Sequence, residues 1–139
     1  MRITQEQLDE VLAHVLEDPR NELCGVIAVE SDSAGPGHRT VARIMRAANL
    51  HVSPLRFEIE PRELLQMQNT VDEHGWEIGG IYHSHVRSEP VPSLTDISYA
   101  AGWPGVEWLI VGLADGARPE ARSYLIEDGE VREVPLELS

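Results

Sequence analysis

The chain of 139 residues contains no lysine and a single cysteine, Cys24. One cysteine excludes an internal disulfide and fits a reducing compartment. All 11 basic residues are arginine, set against 24 acidic ones, for a net charge of -13. So acidic a chain repels phosphate backbones, which argues against a nucleic-acid partner. A coding bias toward arginine accounts for the missing lysine; the same absence leaves no side-chain amine to carry a lysine-linked modifier. No apolar run approaches the length of a membrane span. The opening residues, Met1-Arg2-Ile3-Thr4-Gln5-Glu6, lack the apolar stretch of a signal peptide. The expected location is the cytoplasm, with no membrane contact. Internal repeats, linkers and low-complexity segments are also missing, so residues 1–139 are expected to form one domain.

What is present suffices for a folded core. Hydrophobic residues make up 42% of the chain, enough to pack a domain of this size without staples. Thr4 followed by Gln7 reads as a capping box, and Leu8, Val11, Leu12, Val15 and Leu16 follow at helical spacing. This first helix is expected to end near Asp18-Pro19. Residues 23–29 and 40–47 read as strands, separated by an exposed turn over 31–38. Residues 57–59 read as a brief strand before a second helix that opens at Pro61 and stops at Gly75. Leu64, Leu65, Gln68 and Val71 are expected to give that helix its apolar side. A strand over 76–82 follows, then a Pro-stiffened loop, then a short helix capped by Ser93 and running through Ala101. Residues 106–113, 122–127 and 130–138 read as closing strands, with Asp128-Gly129 as a two-residue hairpin turn. The order predicts an α/β (α+β) fold, a mixed sheet with helices packed on it and a mostly antiparallel C-terminal portion.

The chemistry concentrates in one stretch, His83-Ser84-His85, then seven residues, then Ser93-Leu94-Thr95-Asp96. On an extended segment, residues two apart point to one face, so both imidazoles can reach one ion while Ser84 faces away. Asp96 arrives from the start of the following helix. Two histidines and a carboxylate suit zinc with an open fourth position; ferrous iron uses the same set. Ser93 reads as a helix cap, a position that can coexist with a catalytic role. Water activated at such a centre needs a general base, and Glu22, at the edge of the apolar strand, is the candidate. Cys24 reads as a small buried apolar residue, not a nucleophile. His14, His38, His51 and His74 stand in unrelated contexts. No His-Glu-x-x-His occurs, nor the Pro-Cys-x-x-Cys of zinc nucleobase deaminases.

Glu22 with His83-Ser84-His85-x7-Ser93-x2-Asp96 resembles the JAMM (MPN+) metalloprotease signature, without gap or substitution. The likeness runs from the first helix to the final hairpin and is strongest to small stand-alone bacterial Mec-type peptidases. Residues 122–129 and Phe57-Glu58-Ile59 resemble corresponding segments of theirs. The resemblance implies a cytidine-deaminase-like fold and one Zn2+ per chain, bound by His83, His85 and Asp96. It implies Glu22 as the base that later returns a proton to the leaving amine, and Ser93 as the oxyanion donor. Ser84 would support the site. The implied partner is a ubiquitin-like sulfur-carrier protein, cleaved after its C-terminal Gly-Gly to release cysteine. Relatives that trim carrier precursors or remove modifiers from lysine leave those alternatives open, as does a non-catalytic scaffold of the same fold or a small-molecule hydrolase. A carrier tail is expected to lie along a strand edge, with the loop over 86–92 beside it and Arg87 meeting the carboxylate of a released amino acid.

Overall fold

The computed structural model describes residues 1–31, 34–114 and 118–139. Its elements, in chain order, are β1 (Arg2–Ile3), α1 (Gln5–Val15), β2 (Cys24–Glu30), β3 (Val41–Ala47), α2 (Pro61–Glu73), β4 (Trp76–His85), α3 (Leu94–Ala100), β5 (Glu107–Gly112), β6 (Glu120–Glu127), β7 (Glu130–Val134) and β8 (Glu137–Leu138). The main sheet has six strands in the order β3-β2-β4-β5-β6-β7. All neighbours are antiparallel except β4 and β5, which run parallel across the α3 crossover. A parallel pair needs such a crossover, because a tight turn cannot bring the chain back to the same end of the sheet.

The sheet divides two cores. On one face Val11 and Val15 of α1 pack with Ile27, Val29, Tyr82, Leu109 and Val111. On the other, Met67 of α2 and Ala100 of α3 pack with Val26, Ile81, Trp108 and Ile110. β4 lies inside the sheet with covered faces, and its last residues, 79–85, are all buried. Close approach is built in. A Cβ added to Gly25 would lie 2.2 Å from the Tyr82 ring, and one on Gly79 would lie 2.4 Å from Val29.

Several local expectations are met. Thr4 and Gln7 form the capping box of α1. Gly75, at φ 70°, leads out of α2 just after its His74 cap. Asp128 and Gly129, both at positive φ, turn β6 into β7, as a type I′ hairpin requires.

Others are corrected. α1 stops at Val15, short of Asp18-Pro19. The brief strand over 57–59 reduces to one bridge between Asn49 and Ile59. In α2 the buried side chains are Met67 and Val71, while Leu65 is exposed. The final strand is two: it breaks at Pro135, and β8 pairs in parallel with β1, an element without a sequence signal. Of the turn expected over 31–38, Asp32 and Ser33 lie outside the described residues.

Beneath β1 sits a buried ion pair. The Met1 α-amino group lies 3.0 Å from Glu107 Oε2, and both are fully buried. Gly37 N–H and the Ser123 hydroxyl donate to the same carboxylate at 2.9 and 2.8 Å. A buried charge is tolerable when paired and fully hydrogen-bonded in this way.

Candidate metal centre

The end of β4 brings His83 and His85 onto one face, as period-two geometry demands. Both are buried, and so is Asp96 from the first turn of α3. The two Nε2 atoms lie 3.2 Å apart. His83 Nε2 is 3.2 Å from Asp96 Oδ1, and His85 Nε2 is 3.0 Å from Asp96 Oδ2. A tetrahedral ion with bonds of about 2.0–2.1 Å separates its ligands by about 3.3 Å, close to the separation of the two Nε2 atoms and to the distance from each of them to its own Asp96 oxygen.

The donor chemistry points the same way. His85 Nδ1 faces the Glu89 carbonyl at 3.0 Å. A carbonyl only accepts, so Nδ1 carries the proton and Nε2 offers a lone pair. That lone pair points at a carboxylate and at another imidazole. Such lone pairs converge without repulsion only around a positive charge, a proton or a metal ion. His83, His85 and Asp96 can therefore hold a metal, their ligand atoms all lying within 4.8 Å of one another.

Asp96 is fixed by α3's own cap. Ser93 Oγ accepts the Asp96 amide at 3.1 Å, and Asp96 Oδ2 accepts the Ser93 amide at 2.9 Å. Burial works against the Asp96 charge, yet the two histidines and the Ser93 amide outweigh it and hold the carboxyl well below the usual range. Burial pushes His83 down, whereas for His85 the Asp96 carboxylate and the Glu89 carbonyl overcome burial and raise it. His83 also lies in an aromatic cage. Phe57 stacks on it at 4.4 Å between ring centroids, and Trp108 meets it edge-on at 6.3 Å.

Glu22 is 4% exposed, and its Oε1 has no hydrogen-bond partner. Burial raises its pKa to about 8, with the Asp96 charge adding to the shift and His85 opposing it. The segment is stapled to β4, since Ser84 Oγ accepts the Leu23 amide at 3.0 Å and the Ser84 amide donates to the Leu23 carbonyl at 3.0 Å. Ser84 thus supports the site without facing it. Cys24 pairs with His83 in register, and burial pushes its thiol up to about 12, consistent with an inert core residue. Arg87 is exposed, two residues beyond His85. His14 lies in the core on the opposite face, 2.7 Å from the Tyr82 hydroxyl.

Sequence reasoning missed Asn49. Its amide nitrogen donates to the Glu22 and Arg56 carbonyls, both at 3.0 Å, and its oxygen accepts the His51 and Glu58 amides, both at 3.0 Å. It ties the loop before α2 to Glu22. Phe57, read from the sequence only as part of a brief strand and a family-like segment, proves to stack on His83.

Comparison with known proteins is consistent with this geometry. A family model described as prokaryotic homologs of the JAB domain matches residues 4–127. A protein of Haloferax volcanii named desampylase is 35% identical over 115 residues, covering 79% of this chain and 78% of its own. The CysO-cysteine peptidase of Mycobacterium tuberculosis is 31% identical over 134 residues, covering 96% and 88%. The solution structure of protein DSY2949 from Desulfitobacterium hafniense superposes with a TM-score of 0.86 at 33% identity, over 99% of this chain and 92% of that one.

Proposed function

Since this chain belongs to the prokaryotic JAB family, we propose that it is a zinc-dependent peptidase acting on a ubiquitin-like sulfur-carrier protein. It would hydrolyse the bond after the carrier's C-terminal Gly-Gly and release cysteine. The observation that carries this reading is Glu22: a buried carboxylate oxygen without a partner, in the field of a buried His-His-Asp cluster. A structural carboxylate would be satisfied, whereas a base needs a free oxygen to meet the attacking water.

His83, His85 and Asp96 would hold one Zn2+. When bound, the ion supplies Lewis acidity, polarising the scissile carbonyl and acidifying water. Glu22 takes the proton of the attacking water and delivers it to the leaving amine. Burial raises its pKa to about 8 in the metal-free protein, and a bound cation beside it would draw that value back down, toward the range in which a carboxylate can both take and give a proton. The Ser93 hydroxyl, whose oxygen already accepts the Asp96 amide, keeps its proton for the developing oxyanion. The carrier's tail would approach between the loop held by Asn49 and the loop after His85. Because the cluster is buried, a tail reaching it would be admitted more readily as glycines than as residues with side chains.

The relatives' names favour conjugate cleavage but differ in the leaving group, CysO-cysteine in one and a desampylase reaction in another. Removal of a carrier from lysine is therefore the second reading. A scaffold role would require neither a free buried carboxylate nor a converging ligand set. The deciding experiment incubates three substrates with the zinc-loaded protein: a carrier–cysteine adduct, a carrier–lysine isopeptide and an extended carrier precursor. Mass spectrometry should find the first converted to a Gly-Gly-ended carrier and free cysteine, with chelation abolishing turnover. Conversion of the isopeptide alone would select the second reading; inertness toward all three would remove the peptidase.

A further inference from the structure

The loop after β4 is fastened down by β5 and β6, and the fastening reaches His85. Glu89 is exposed, but its carbonyl is the partner of His85 Nδ1 at 3.0 Å. The next residue holds it there. Pro90 is buried, and its carbonyl accepts the Tyr124 hydroxyl at 2.7 Å in a buried hydrogen bond. Beneath the proline lies Gly112. A Cβ built there would come within 2.6 Å of Pro90 Cδ and 3.0 Å of Pro90 N. Those Pro90 atoms are part of a rigid ring and backbone, so any side chain at 112 would lift the loop. Gly112 is also the register partner of His85, and the Leu113 amide donates to the His85 carbonyl at 2.8 Å.

We propose that Tyr124 and Gly112 are positioning residues for the metal centre: by seating Pro90 they hold the Glu89 carbonyl on His85 Nδ1. That contact fixes the ring's tautomer and the direction of its Nε2 lone pair. The inference rests on the metal-centre reading above. Its chemical logic is that a partner on the outer nitrogen fixes a ligand imidazole, and of the two histidines it is His85 that has one, His83 being held by the Phe57 and Trp108 rings with its Nδ1 unpartnered. Disturbing such partners typically weakens metal binding about 10- to 100-fold. Here the partner is a main-chain carbonyl, which no substitution of Glu89 removes. Control therefore passes to whatever seats the main chain.

The test is zinc affinity by chelator competition, with the cobalt-substituted spectrum and the ¹⁵N tautomer signals of His85 as second and third readouts. Tyr124→Phe keeps the ring and deletes the hydroxyl; it should weaken zinc about tenfold, shift the cobalt bands and mix the His85 tautomers. Gly112→Ala moves Pro90 while leaving the hydroxyl intact and should act in the same direction. Tyr82→Phe is the control. It deletes another buried hydroxyl contact of 2.7 Å, to His14 on the far face of the sheet, and should leave zinc affinity unchanged. Parent-like affinity and tautomer in Tyr124→Phe would overturn the proposal, as would equal weakening in Tyr82→Phe. Should Gly112→Ala fail to fold, the two tyrosine variants decide. A parent protein that binds no zinc would instead overturn the metal-centre reading itself.

Discussion

The Asn49 side chain donates to the Glu22 carbonyl at 3.0 Å, and the Glu22 amide donates in turn to the Ser53 carbonyl at 2.8 Å. The proposed base and the loop over 49–56 are thereby one unit. That loop shows water three large apolar side chains, Leu50, Val52 and Leu55, at 50%, 85% and 75% exposure. They contribute little to the fold, and under the proposed function they are free to meet a carrier docked beside Glu22.

Replacing Val52 and Leu55 together by serine should raise KM for a carrier conjugate about tenfold, the equivalent of about 1.4 kcal/mol, and leave kcat nearly unchanged. A short Gly-Gly peptide substrate should be hydrolysed as by the parent. Steady-state kinetics on both substrates check this; equal losses on both would place the effect at the chemistry instead.

Glu22→Gln should bind zinc normally and lose kcat by about 10²–10⁴-fold, the usual worth of a positioned base. The same variant carries a pH signature in the metal-free protein. The folded-state value of about 8 stands above the ordinary 4.5. Below 4.5 both folded and unfolded chains hold the proton, and the stabilisation is complete. As pH rises through that window to about 8, the unfolded chain releases a proton that the folded chain retains, and stability falls. Each pH unit is worth at most about 1.4 kcal/mol. Thermal melts of metal-free protein should show a decline toward alkaline pH in the parent that flattens in Glu22→Gln.

Ser93 serves both the helix and the proposed chemistry, and two substitutions separate the roles. Ser93→Ala should cost about 1 kcal/mol of stability through the lost cap, whereas Ser93→Gly costs only a few tenths. Both should lower kcat by about 10²–10³-fold if the hydroxyl serves the oxyanion. Denaturation curves and kcat measured on the pair would reveal whether activity follows the hydroxyl or the stability.

Glu107→Ala should destabilise the protein by about 3–5 kcal/mol, because it strands the buried Met1 ammonium and the Gly37 and Ser123 donors. Zinc affinity, measured where the variant remains folded, should not change. Urea denaturation alongside zinc titration checks both halves.

The site was legible because local rules wrote it. Two-residue spacing on a strand set His83 and His85 side by side, and a Ser-x-x-Asp cap delivered Asp96. Strand and helix positions followed from periodicity for the same reason. What escaped depended on partners distant in sequence. The second helix shows the limit of pattern: Leu64 and Leu65 compete for the inward face, and packing selects Leu64 beside Met67, with Val71 also buried and Leu65 left exposed. β1 is two residues long and owes its extended form to β8, more than 130 residues away. Phe57 finds His83, and Tyr124 finds Pro90, through tertiary contacts that no spacing announces.

The alternation along β4 has a practical corollary. Ile81 belongs to the core beside the cluster, while Tyr82, between it and His83, belongs to the core beneath α1. One strand therefore serves two cores. The α1 side is open to redesign for heat resistance at Val11, Val15 and Leu109, whereas Leu23, Val86 and Leu113 of that same core adjoin Glu22 and His85 and are best left alone. On the α2–α3 side, by contrast, a stabilising change at Phe57 or Trp108 is at once a change to the environment of His83.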